Sequence, residues 1–128
     1  MKLDYDFIKK ILLEMENNED FQISSHKLMK KLEISHDLER KFMGHIKLLG
    51  DRNFIESDSK NHPYGFKIKM TEYLINNVNY RITAQGHEFL DMLKNDTVFN
   101  KIKNFALPNA FDIGKQILIS LVTGGLNG

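Results

Sequence analysis

A chain of 128 residues with 18 basic and 17 acidic side chains, five histidines and no cysteine has room for one domain with a sizeable core, and nothing in it can form a disulfide, a thiolate zinc site or a cysteine nucleophile. The net charge is +1, so a basic surface for nucleic acid has to come from local arrangement and not from a global excess. The opening residues carry acids at Asp4 and Asp6 without a long apolar run, and the longest apolar stretch, Ile117 to Val122, is far short of the roughly 20 residues of a membrane span, so a cytoplasmic protein with no membrane partner is expected.

From Asp4 to Asn17, Phe7, Ile8, Ile11, Leu12 and Met15 recur at helical spacing, with Asp4 and Asp6 near the positive end of the helix dipole. Phe21–Ile23 makes one short strand. Ser24 or Ser25 caps a short second helix that buries Leu28, Met29 and Leu32 and turns Lys27, Lys30 and Lys31 outward. Ser35 is the expected cap of a third helix, from about His36 to Arg52, whose apolar face is Leu38, Phe42, Ile46 and Leu49. Asn53 stands where that helix needs a left-handed residue to stop, and its short polar side chain tolerates the conformation. Phe54 and Ile55 begin a strand.

Residues 57–79 open with turn-forming sequence, Pro63 and Gly65 marking a turn. "FKIKM" then alternates apolar and basic residues as a half-exposed strand does. "TEYLINNVN" follows, with a tight turn expected at Asn76–Asn77, and "YRIT" is the last strand. Thr83 is an N-cap whose hydroxyl can satisfy an orphan N–H at Gln85 or Gly86, and Gly86 lets the first turn of a fourth helix lie close against a neighbour. Phe89, Leu90, Leu93, Val98, Phe99, Ile102 and Phe105 carry the apolar face onward past a kink or break at Asn95–Thr97. After Pro108 a separate amphipathic helix is expected, with Phe111, Ile113, Ile117, Leu118 and Leu121 on its apolar face and Gly124–Gly125 at its end.

This order gives an α+β, mainly helical fold. Three helices followed by a β-hairpin is the layout of a winged helix-turn-helix, here with an extended hairpin wing over residues 1–106 and an extra C-terminal amphipathic helix over 107–128. "FMGHIKLLGDRNFIE" (Phe42–Glu56) resembles the segment joining recognition helix to wing in bacterial winged-helix regulators, and "YRITAQGHEFLD" (Tyr80–Asp91) resembles their exit from the wing. Three separated segments, "MKLDYDFIKKILLEME", "GHIKLLGDRNFIE" (Gly44–Glu56) and the run from Arg81 to Lys103, resemble, in the right order, the domain of unknown function 2513, a family of small proteins often carried by phages and prophages. The resemblance implies the winged-helix architecture and brings no established activity. The chain departs from the family pattern at Ala84, where a tryptophan is common, and at Asn53, where the helix stop is commonly glycine.

The partner expected of such a domain is double-stranded DNA. Arg40, Met43 and Lys47 lie opposite the apolar face of the third helix, where they would meet base edges or nearby phosphates. Lys27, Lys30 and Lys31 on the second helix and Lys67 and Lys69 on the wing would contact backbone. Asp37 and Glu39 in the first turn oppose that reading and suit a helix dipole or a protein partner instead. The same scaffold used against a protein is the alternative function. The histidines show no metal-ligand spacing, His45 reading as a partly buried helix residue and His87 as a surface residue able to meet Asp91. No nucleophile or acid–base constellation is present, so neither an enzyme nor a cofactor is expected. The apolar face of the C-terminal helix needs cover, either from its own domain or from a second copy in a homodimer.

Overall fold

Asp4 begins the first helix as a cap: its side chain accepts the Phe7 N–H at 3.1 Å while its own backbone is still extended. Helix α1 (Tyr5–Glu16) follows, burying Tyr5, Ile8, Ile11, Leu12 and Met15 at the period the sequence carries. The structure is a computed structural model that describes residues 2–61, 64–69 and 72–127, with the backbone alone for Ile68, Lys69, Glu72 and residues 124–127. The expected turn residue Pro63 and the side chain of Lys69 lie outside what is described.

Ile23–Ser24 forms β1, and Ser24 accepts the Lys27 N–H to start α2 (Ser25–Lys31). Helix α2 ends in a Schellman turn. Glu33 takes φ 54°, its N–H donates to the Lys30 carbonyl, and the Ile34 N–H donates to that of Met29. The next helix starts later than Ser35 suggests. Ser35 makes no side-chain cap, His36–Leu38 is a single 3₁₀ turn, and α3 runs Glu39–Asp51. Leu38 accordingly falls in the entry turn and is exposed, not part of the buried face. Helix α3 closes on a second Schellman turn, with Asn53 at φ 60° and the Phe54 N–H donating to the Leu49 carbonyl.

Strands β2 (Ile55–Ser57) and β5 (Asn79–Ile82) pair antiparallel, and β1 adds to the other edge of β5, so the three-stranded sheet has the order β1-β5-β2. Ile23 faces Tyr80 and Ile55 faces Ile82 across it. Between β2 and β5 the chain makes a separate antiparallel hairpin, β3 (Phe66–Lys69) with β4 (Glu72–Ile75), in which Phe66 stands opposite Ile75. The strands have thus already reversed before Asn76–Asn77, which is not the hairpin turn. That segment serves α2 instead. Buried Ser25 donates its hydroxyl to the Asn76 carbonyl at 3.1 Å and accepts the Val78 N–H at 3.0 Å.

Thr83 caps α4 (Ala84–Lys94), accepting the Gly86 N–H at 3.0 Å. Asn95 ends that helix and caps α5 (Asp96–Ile102) through its side chain, which is why the chain breaks there. Helix α6 runs Leu107–Asn127. It passes through Gly124–Gly125 instead of stopping there, since a glycine lowers helix propensity by about 1 kcal/mol without removing a hydrogen-bond donor. Nor is α6 a separate unit. Leu107 and Ala110 belong to the same buried cluster as Ile8, Leu28, Ile46, Phe54 and Phe89, and Ile113, Ile117 and Leu118 pack on it half-buried. The Phe111 ring lies 5.2 Å from Phe54 and 6.2 Å from Phe89.

Candidate nucleic-acid interface

The basic side chains singled out from sequence fall on three elements. Lys27, Lys30 and Lys31 are exposed on α2, Arg40 and Lys47 on α3, and Lys67 on β3. Met43 does not join them. It is 2% exposed and contributes to the interior, so the expectation of a base-reading methionine is corrected. Glu39, Met43, Lys47 and Gly50 fall on one stripe of α3, and the hairpin lies along it. The Tyr73 hydroxyl donates to the Glu39 carboxylate at one end of the stripe, and the Arg40 guanidinium sits 5.5 Å from the Tyr73 ring centre. At the other end the Tyr64 hydroxyl donates to the Asp51 carboxylate. A Cβ placed on Gly50 would come within 2.6 Å of the Tyr64 ring, so only a glycine lets the two elements approach this closely. The carboxylate partners raise the pKa of both tyrosines, because a bond that needs the phenolic proton and a nearby negative charge both disfavour the phenolate.

The opposite side of α3 is fixed to the start of α1 by His45. The ring is fully buried. Its Nδ1–H donates to the Lys41 carbonyl at 2.8 Å, which leaves Nε2 as acceptor for the Asp4 N–H at 3.0 Å. Burial lowers the pKa of His45, with the Lys41 carbonyl opposing the shift, and the neutral ring is the form both bonds require. Lys41 pairs with the Asp4 carboxylate at 2.6 Å and, with the Phe7 N–H, lowers its pKa against a smaller burial effect. On the far side of α1, His87 lies 3.6 Å from Glu16, which also holds Lys94 at 2.6 Å, so His87 meets α1 and not Asp91.

The residues read as a self-association face split into two groups. Phe111, Ile113, Ile117 and Leu118 are turned to the chain's own core, because α6 packs back over α4 and α5. Leu121 is exposed, as are Ile119 and Val122. Among the described residues no group of three histidine, cysteine or acidic side chains is placed to hold a metal ion, and no helix is long and apolar enough to cross a membrane.

Residues 2–111 match the family described as "Hypothetical protein (DUF2513)". The chain belongs to this family. The resemblance read from the three sequence segments is thereby met. The DUF2513 match extends into the first turn of α6 and ends at Phe111, the ring that closes on Phe54 and Phe89. The chain is also similar to a Haemophilus influenzae (strain Rd) protein named "Uncharacterized protein", 27% identical over 138 residues that cover 96% of this chain and 97% of that one. No solved structure matches.

Sequence reasoning missed the tyrosine contacts of the hairpin and the bond from His45 to Asp4. The one available signal was the pair Tyr64 and Tyr73 flanking a strand segment, since a phenol at a half-exposed position is well suited to reach a carboxylate.

Proposed function

We propose that this protein is a cytoplasmic, non-enzymatic winged-helix protein that binds double-stranded DNA, as a regulator of phage or mobile-element type. In this reading α2 and α3 are the helix-turn-helix, joined by the Schellman turn at Glu33. Strands β2 and β5 are the stem of the wing, and β3–β4 is its extension. The observation that carries the reading is the set of exposed cations on three successive parts of that unit: Lys27, Lys30 and Lys31 on α2, Arg40 and Lys47 on α3, and Lys67 on the hairpin. Each can neutralise a phosphate, and such contacts supply affinity that falls steeply with salt. Lys69 belongs to the same wing by sequence. The hairpin lying along α3 limits how deeply that helix enters a groove, so backbone contact from α2 and the wing carries more of the binding than base reading by α3.

Fluorescence anisotropy of the full chain on a labelled random duplex, titrated across salt, tests this. Binding of about micromolar strength at low salt, with a slope that loses about one unit for each phosphate contact removed, is the expected outcome. Lys27→Ala, Lys30→Ala and Lys31→Ala combined should flatten the slope more than Arg40→Ala with Lys47→Ala. Absence of binding at low salt, or an unchanged slope in both variants, defeats the reading.

The second reading is a protein-interaction module on the same scaffold. It is favoured by exposed Asp37 beside Glu39 and by the outer turns of α6, where Ile119 is 60% and Val122 64% exposed. A homodimer through α6 would use these two with Leu121. Sedimentation that reports a monomer at high concentration counts against the homodimer, and a pull-down without a stoichiometric partner counts against the module.

A further inference from the structure

A hollow of about 540 Å³ opens between α3, the turn that joins α5 to α6, and the residues ahead of α1. Its wall is largely apolar. Leu3 and Leu48 line it half-buried, Leu107 lines it at 4% exposure, and Phe105 is 42% exposed beside them. Lys2 and Lys103 line it as well, both exposed, and neither has an ion-pair partner among the described residues. The turn is fixed by bonds of its own: the Tyr5 hydroxyl donates to the Phe105 carbonyl at 2.6 Å, and the Phe105 N–H donates to the Ile102 carbonyl at 3.0 Å. The size is within the usual range of small-molecule sites. The adjoining hollow shares both lysines but is lined by Asp4 and Asp6, so an anion is disfavoured on that side.

We propose that the hollow between α3 and the α5–α6 turn binds a medium-chain fatty acid, its carboxylate held by Lys2 and Lys103 and its chain laid along Leu3, Leu48 and Leu107. The apolar wall selects the chain. A sugar or a nucleotide would set hydroxyls against leucine side chains that cannot bond to them, at the full cost of losing water, whereas an alkyl chain gains by every methylene it buries. The lysines select the head. Two ammonium groups without an acid of their own can each donate to one oxygen of a carboxylate, and their stems add to the apolar surface while the charges stay at the mouth. This site lies apart from the α2 lysines and does not rest on the DNA reading.

The test is a nitrogen-15 NMR titration of the full chain with hexanoate, octanoate, decanoate and 1-octanol, each kept below the concentration at which it self-associates. Octanoate should move the amide signals of Leu48 and Phe105. Each added methylene should tighten binding about threefold while the hollow has room for it. The alcohol, although the more apolar molecule, should bind about fivefold more weakly than octanoate. Lys103→Met keeps the apolar stem and removes the charge, so it should weaken octanoate about fivefold and leave octanol as it was; Phe105→Ala should weaken both about threefold. The combined Lys27→Ala, Lys30→Ala and Lys31→Ala variant should bind octanoate unchanged while losing duplex affinity, so failure of one reading is distinguishable from failure of the other. Signals at Leu48 and Phe105 that stay still overturn the proposal. So does octanol binding as tightly as octanoate, which would make the hollow a merely apolar surface, or an affinity indifferent to chain length or to Lys2→Met combined with Lys103→Met.

Discussion

The chain returns to α3 twice after leaving it, and the two returns are built from different chemistry. At the C-terminal end of the helix, the β5–α4 junction bonds to the main-chain carbonyls of Asn53 and Phe54. The Thr83 N–H donates to the Phe54 carbonyl at 3.0 Å, the Thr83 hydroxyl donates to the Asn53 carbonyl at 2.6 Å, and Gly86 lies so close that a methyl there would press on the Phe54 carbonyl and come within 2.7 Å of Ile82. Along the outward stripe of the helix, the β3–β4 hairpin is held by side-chain tips, Tyr73 to Glu39 and Tyr64 to Asp51. A backbone junction has no rotamer through which to yield, whereas a contact between side-chain tips can be released one residue at a time. The first return is therefore structural in the strict sense, and the second is adjustable.

The largest expected effect lies between the two returns. Leu49, fully buried on α3, should not tolerate Leu49→Asp, because an unpaired buried carboxylate costs a large part of what a domain of this size has. A soluble variant that melts cooperatively would show that the buried stripe of α3 is not the one described. Gly86→Ala comes next. Urea denaturation should show a loss of about 3 kcal/mol, at the upper end for overpacking because the obstacle is main chain. A loss under about 1 kcal/mol would mean that the junction yields as readily as the hairpin, and the contrast would vanish.

The pH dependence follows from His45. Its folded pKa is below the ordinary 6.5, so as pH falls through 6.5 the unfolded chain takes up a proton that the native chain refuses. Stability is full above pH 6.5 and is lost as the pH drops toward the folded value. Urea midpoints at pH 7.5 and 5.5 should differ in that direction, and the difference should shrink in His45→Gln. Glu33→Gly should gain about 0.5–1 kcal/mol, because glutamate holds a left-handed conformation that glycine adopts freely. The smallest effect is expected of Tyr73→Phe. Its melting temperature should match that of the unaltered chain while amide exchange in β3 and β4 speeds up, as befits a hairpin attached by tips. A large drop in melting temperature would place the hairpin with the junction.

What the sequence made legible depended on whether a residue's own chemistry announces its conformation. Asn53 could be placed because asparagine favours the left-handed stop, and Thr83 with Gly86 because a hydroxyl cap and a missing Cβ mean the same thing wherever they meet. Glu33 performs the same task as Asn53 and gave no sign of it, since glutamate has no preference for that conformation and adopts it here under the pull of the Schellman bonds. Ser35 misled for the converse reason. It is a good capping residue, but the chain tightens into a 3₁₀ turn before a cap is needed. Helical spacing located Phe42, Ile46 and Leu49, whereas the burial of Met43, which falls off that spacing, was not read from it. The apolar face of α6 was visible, whereas its cover was not: an amphipathic helix reads the same whether its own domain or another copy receives it.

Tyr5 donates its hydroxyl to the carbonyl of Phe105 at 2.6 Å, a bond spanning 100 positions. A ribosome delivers Tyr5 100 residues before Phe105, so while that stretch is being made α1 lacks that acceptor, and until α4 is made it lacks the ring of Phe89, 6.3 Å away. The nascent protein thus carries an unfinished first helix until α4 and the turn after α5 emerge, and fragments truncated before α4 should be held by chaperones instead of reaching a native fold.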